Sequence, residues 1–123
     1  MKVLVTGACG HIGSKLIRSL PESYELLIVD NMLTQRYPSL FYINRKVKFL
    51  EQDISDLTLD QLEGIDVVIH LAAITNAEHS FKNQEEVEDI NLVKTKKFID
   101  TFLLPLVFTG LLLMRFLRIT NSL

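Results

Sequence analysis

With a single cysteine in 123 residues the chain has no internal disulfide to form, which fits a reducing compartment. Metal-ligand spacing is missing too. Cys9, His11, His70 and His79 make no CxxC or HxxxH pair, so no metal site is expected. An excess of one charge is absent: 13 Lys and Arg face 15 Asp and Glu, for a net charge of −2. Without a basic face, neither nucleic acid nor an anionic membrane is an expected partner, and a small molecule is. No apolar run reaches the roughly twenty residues of a membrane span. The stretch from Leu103 is interrupted by Pro105, Thr109 and Gly110 and closed by Arg115 and Arg118. The first apolar segment starts directly after Met1, leaving no room for a signal peptide before it, so a cytoplasmic location is expected.

Glycine is scarce as well, five in all, yet three of them fall between positions 7 and 13. Val3-Leu4-Val5-Thr6 runs directly into Gly7-Ala8-Cys9-Gly10-His11-Ile12-Gly13, and the helix-like segment that follows completes a strand, glycine turn and helix. Glycines there permit a tight turn, close approach of backbone to phosphate, and close packing of helix on strand. The helix N-terminus adds free N–H groups and about half a positive charge. The spacing is GxxGxxG rather than the commoner GxGxxG, and gains weight from a second feature. The apolar segment Glu25–Val29 ends on Asp30, about twenty residues on, where a carboxylate accepts hydrogen bonds from an adenosine ribose. The competing reading of Asp30 is a turn acid at a strand end.

At 48% hydrophobic and 23% charged residues the composition is that of an ordinary folded domain. The length suits one sheet with covering helices. A helix is expected over His11–Leu20, with Leu16, Ile17 and Leu20 inward and Lys15 and Arg18 outward, ended by Pro21. Strands follow at Glu25–Asp30, Val47–Leu50 and Val67–Leu71, with short helices around Leu40–Ile43 and Leu57–Leu62. Alternation of this kind gives an α/β fold, a Rossmann-like parallel sheet with helices on both faces, here incomplete at about four to five strands. The sequence divides into a Rossmann-like unit at 1–102 and an apolar tail at 103–123, in which Leu106–Phe108 is a candidate fifth strand.

A longer helix is expected over Gln84–Phe102, acidic early and basic late, with Lys94, Lys96 and Lys97 forming a solvated face. At 100° per residue Val87, Asn91, Phe98 and Phe102 share one sector. An amide in that sector needs partners, because leaving it buried without them costs about 1–3 kcal/mol.

With the glycine loop, Asp30, Asp53-Ile54, His70-Leu71-Ala72-Ala73 and Asn91 in this order, the chain resembles the extended short-chain dehydrogenase/reductases, in particular the NAD-dependent epimerase/dehydratase family. The resemblance covers roughly residues 1–100. It implies oxidation and later reduction of one carbon of a nucleotide-linked sugar by a tightly held nicotinamide cofactor. It further implies that Gly7, Gly10, His11, Ile12 and Gly13 hold the pyrophosphate, and that Asp30 with Asn31 meets the adenosine ribose. The Asp30 charge would repel a 2′-phosphate, which favours NAD over NADP. Asp53 and Ile54 would meet the adenine, the alternative for Asp53 being a turn or cap before Ser55. Ala72 and Ala73 would leave room for the cofactor ribose, and Leu71 and Asn91 complete the cofactor-binding set.

The family's proton transfer uses a Tyr-x-x-x-Lys pair on one helical turn, and none follows the fourth strand. Tyr42 and Lys46 match the spacing but precede the third strand, and the match is read as coincidence. Thr109 stands where the family often carries a catalytic Ser or Thr, without the expected residues after it. The expectation is therefore the NAD-binding part of a nucleotide-sugar epimerase or dehydratase, without catalysis of its own and with its tail reading as a truncated or shifted frame. The alternatives are a non-catalytic NAD-sensing module and a truncated product without function. Oligomeric state is not legible.

Overall fold

The computed structural model describes residues 1–43, 45–74, 87–109 and 116–118. Five strands form one parallel sheet: β1 (Lys2–Thr6), β2 (Glu25–Asp30), β3 (Val47–Glu51), β4 (Val67–His70) and β5 (Phe116–Arg118), in the order β3-β2-β1-β4-β5. Apolar residues fill both faces of the central strands, as a sheet covered on both sides requires. Alternation then sorts them. Val3, Val5, Leu26 and Ile28 pack with Ala8 and with Ile17 of helix α1 (His11–Ser19). Leu4, Leu27, Val29 and Val68 face the other way, onto Leu62 of the short helix α2 (Leu59–Leu62) and onto Phe98 and Phe102 of helix α3 (Thr95–Thr109). Each such side chain contributes roughly 1.5–3 kcal/mol by leaving water, so the two layers hold the sheet between them. This is the Rossmann-like α/β arrangement.

Local chemistry explains the ends of the elements. Thr58 caps α2, its hydroxyl accepting from the Gln61 N–H while the Gln61 side chain accepts from the Thr58 N–H at 2.9 Å, a reciprocal capping box. Arg45 donates to the carbonyls of Leu20 (2.6 Å), Pro21 and Tyr24 (2.8 Å), tying the start of β3 to the turn between α1 and β2.

Three expectations are corrected. The short helix between β2 and β3 is a 3-10 turn at Tyr37–Leu40, started by Pro38 in its first turn, and not a helix around Leu40–Ile43. Leu106–Phe108 is helical, within α3, and the fifth strand comes later, at Phe116–Arg118, paired in parallel with β4. A short run of Leu, Val and Phe satisfies a buried helix as well as a buried strand, and its period does not separate them. Helix geometry before α3 is also not uniform, because Asp89–Lys94 forms a π-turn between Val87-Glu88 and α3. The start expected at Gln84 lies outside the described residues.

Candidate functional site

At β1 the strand order reverses, with β2 on one side and β4 on the other, and a ligand crevice belongs at the carboxyl ends of the strands there. A cleft of about 730 Å³ opens at that place. Its first wall is the loop from β1 to α1. Gly7 has φ +65°, and a Cβ there would lie 2.6 Å from the backbone of Leu71 and Ala72, so the end of β4 can approach only a glycine. Gly13 is closed in a different way. A Cβ would sit 2.4 Å from the Gly7 carbonyl oxygen and 2.7 Å from Ala8 Cα, which makes this glycine the contact between helix and loop. Among the described residues Gly10 has one neighbour near an added Cβ, the Gly7 carbonyl at 3.2 Å, and it lines the cleft.

Gly10 also caps α1 without a side chain, and the helical ladder opens with the Ser14 N–H on the Gly10 carbonyl at 2.9 Å. The N–H groups of His11, Ile12 and Gly13 therefore precede the ladder at the positive end of the helix, with no acidic residue in the first turn. Asp30 stands beside them. Its Oδ2 accepts from the Cys9 N–H and its Oδ1 from the Met32 N–H, both at 2.9 Å, which fixes the carboxylate at the end of β2 on the cleft wall. Cys9 itself is buried, and burial, followed by the charges of Asp30 and Glu51, pushes its thiol up to about 11. It stays a neutral thiol and offers no nucleophile.

The second wall joins β3 to the long helix. Asp53 caps the 3-10 turn Ile54–Asp56, with Oδ1 accepting from the Ser55 N–H at 2.9 Å. That cap is the alternative weighed for Asp53 from sequence, and it coexists with a place in the cleft. Oδ2 takes a second partner, Lys94 Nζ at 2.9 Å. Desolvation acts to raise the Asp53 pKa, but the Ser55 and Lys94 hydrogen bonds outweigh it and hold the carboxyl below its ordinary value. Lys94 moves up, chiefly through its bond to Asp53. Its placement corrects the expectation of a solvated lysine face. Lys96 and Lys97 are exposed, whereas Lys94 is half-buried and lines the cleft.

Below the cleft, His70 at the end of β4 is 3% exposed and bridges two hydroxyls, Thr6 Oγ1 at 2.6 Å from Nδ1 and Thr95 Oγ1 at 3.0 Å from Nε2. One proton assignment satisfies the chain. Thr95 donates to the Ile90 carbonyl inside the π-turn, His70 donates from Nε2 to Thr95, and Thr6 donates to Nδ1 while accepting from the Leu71 and Ala72 N–H groups. Stacking of His70 on Phe98, with centroids 5.5 Å apart, closes the network on the helix. Asn91 works alongside it, accepting from the Ile74 N–H at 2.8 Å and donating to the Ile74 carbonyl at 3.0 Å. The partners that the sequence demanded for this amide exist, and they hold the cleft wall after β4 in place.

Of the expected site residues, Gly7, Gly10, His11, Asp30, Asn31, Asp53, Ile54, Leu71, Ala72 and Ala73 line the cleft. Ile12 and Gly13 belong to the same loop and helix start but do not line it, and Asn91 does not line it but bonds Ile74, which does. Thr109 ends α3 and does not follow a strand, so the position expected of a catalytic hydroxyl is not realised. Tyr42 is 96% exposed in a turn with φ +57°, and neither it nor Lys46 is helical or lines the cleft. Among the polar lining residues, sequence reasoning missed Thr34, Arg36, Gln52 and Lys94. A signal existed for Lys94, which lies seven residues after Val87 and four before Phe98, in the inward sector of the helix. Among the described residues no group of three or more His, Cys, Asp or Glu could hold a metal, and no helix is long and apolar enough to cross a membrane.

Comparison with known proteins gives a consistent picture. The model of the NAD dependent epimerase/dehydratase family matches residues 3–104. A putative UDP-glucose 4-epimerase of Methanocaldococcus jannaschii is 36% identical over 102 residues, covering 80% of this chain and 32% of the relative. The dTDP-D-glucose 4,6-dehydratase of Homo sapiens is 36% identical over 104 residues, covering 76% and 30%. Among solved structures, the UDP-glucuronic acid 4-epimerase from Bacillus cereus, in complex with UDP-glucuronic acid and NAD, superposes with a TM-score of 0.74 at 31% identity over 82% of this chain and 36% of that one. The chain thus spans about a third of the length of these proteins.

Proposed function

The chain belongs to the NAD dependent epimerase/dehydratase family, and from that premise we propose that its 123 residues hold NAD for chemistry on a nucleotide-linked sugar. The observation that carries this reading is one cleft walled by the glycine loop, the N-terminus of α1 and the Asp30 carboxylate. Those three features match the three demands of an adenine dinucleotide: an anion site, space at the main chain, and an acceptor for ribose hydroxyls. Gly10, His11 and the first N–H groups of α1 take the pyrophosphate. Asp30 takes the adenosine ribose, Asp53 and Ile54 meet the adenine, and the small Ala72 and Ala73 leave space for the second ribose.

The cofactor would supply a hydride acceptor that returns the hydride later in the same cycle. Matched proton transfer needs a tyrosine whose pKa is lowered by a nearby lysine, and the exposed Tyr42 away from the cleft does not meet that need. By themselves these residues bind NAD and do not turn over a sugar.

Titration calorimetry of the purified chain with NAD and NADP tests the reading. NAD is expected to bind more tightly, because a 2′-phosphate would approach the Asp30 charge, and Asp30→Asn is expected to narrow the difference. Equal or tighter binding of NADP by the wild type overturns the Asp30 role. Conversion of any sugar in a panel of nucleotide sugars, or net reduction of NAD with one of them, would overturn the absence of turnover.

A further inference from the structure

A carboxylate alone at the base end of the cleft accepts hydrogen bonds and repels any base that presents a carbonyl oxygen. Asp53 is not alone. Lys94 Nζ lies 2.9 Å from its Oδ2, and the two side chains are 28% and 20% exposed, so the cation and the anion are held together and both remain open to the cleft they line. The remaining atoms are constrained from behind. Ser55 donates its N–H to Asp53 Oδ1, and Asp89 Oδ2 lies 3.9 Å from Lys94 Nζ, so neither charge needs to move to keep a partner. The ammonium has three N–H bonds and a carboxylate offers about four lone-pair sites, so both groups keep capacity beyond their contacts with each other and with Ser55.

We propose that Lys94 and Asp53 act together as a two-faced reader of the purine edge, an acceptor for an amino group and a donor for a carbonyl oxygen side by side. It rests on the reading that NAD occupies this cleft with its base at Asp53. An adenine gives its exocyclic amine to Asp53. A hypoxanthine, which carries oxygen in place of that amine and a proton on the adjoining ring nitrogen, gives its N–H to Asp53 and takes a bond from Lys94. The cleft therefore tolerates both bases. With Lys94 removed, the oxygen of hypoxanthine faces a bare carboxylate and only adenine is accommodated.

The test compares binding of NAD with that of nicotinamide hypoxanthine dinucleotide to the purified full chain, with circular dichroism of each variant recorded beside it. The wild type is expected to bind the two within about tenfold of each other. Lys94→Met is expected to widen that ratio by at least about tenfold through lost hypoxanthine affinity, as for removal of one charge-assisted hydrogen bond. Lys94→Arg, which keeps a cationic donor, is expected to stay near the wild-type ratio. A wild type that already prefers NAD by more than about a hundredfold overturns the proposal without any variant. So does a folded Lys94→Met with an unchanged ratio. Failure of the wild type to bind NAD at all would overturn the underlying reading of the cleft instead.

Discussion

The two walls of the cleft are built from different materials. On the glycine side the main chain does nearly everything: Gly7 lets β4 close in, Gly13 seats α1 on the loop, and Gly10 leaves the opening clear. On the opposite side the wall depends on side chains brought from positions 41 residues apart, with Asp53 and Lys94 paired across the gap between a 3-10 turn and a π-turn. A wall of backbone is written locally and fails abruptly, because a misplaced Cβ meets atoms that cannot move aside. A wall of paired side chains is written at long range and weakens by degrees, because water and salt replace part of what is lost.

The largest effect should come from Gly7→Ala. Its left-handed φ costs a non-glycine residue about 1–2 kcal/mol, and a Cβ at 2.6 Å from the Leu71 and Ala72 backbone adds the cost of overpacking, about 1–3 kcal/mol or more. Against a total of about 5–15 kcal/mol for a typical domain, that loss is severe. Urea unfolding followed by circular dichroism is expected to show a midpoint far below wild type, or no cooperative transition. A midpoint equal to wild type would mean that the loop yields freely, and the contrast between the walls would collapse.

Gly10→Val separates binding from folding on the same wall. At φ −66° and with a single contact at 3.2 Å, position 10 accepts a Cβ at little cost to the fold. The side chain then projects where the pyrophosphate would lie. NAD affinity is expected to fall by about a hundredfold or more, the equivalent of about 3 kcal/mol of overlap, while the thermal midpoint changes little. Retained affinity would remove the pyrophosphate from this loop.

The same contrast explains what was legible in the sequence. The places of Gly7, Gly10 and Gly13 in the turn and of Asp30 at the strand end could be read because they follow from spacing along the chain. The sheet could be read because Val3 to Val5, Leu26 to Val29 and Val67 to Ile69 are apolar on both faces, as buried parallel strands are. Asn91 could be read as needing partners, though not which ones. The His70 network could not be foreseen, since Thr6 and Thr95 lie 64 and 25 residues from the histidine. Lys94 was lost to a general rule, that a lysine ladder late in a helix faces solvent, although its spacing from Val87 and Phe98 placed it inward. Leu106–Phe108 was misread because composition there fits either a strand or the helix that forms.

The smallest effect belongs to the Asp53–Lys94 pair, and its sign follows from linkage. Asp53 is held below its ordinary 3.8 in the folded chain, so its contribution is present above about pH 3.8 and disappears as pH falls through the lower folded value. Lys94 is held above its ordinary 10.5, so its contribution is present below that pH and disappears as pH rises through the higher folded value. Both side chains are partly exposed, which limits the pair to about 1 kcal/mol or less, reduced further by salt. The charge-dependent part of the stability difference between wild type and Lys94→Met should be full near pH 6 and shrink below about pH 4. Any change in packing from the methionine adds an offset that does not vary with pH. Urea midpoints for both chains across that range, at low and high salt, measure it. A difference that stayed constant with pH and salt would show that Lys94 holds this wall by its aliphatic stem, and the second wall would then be as steric as the first.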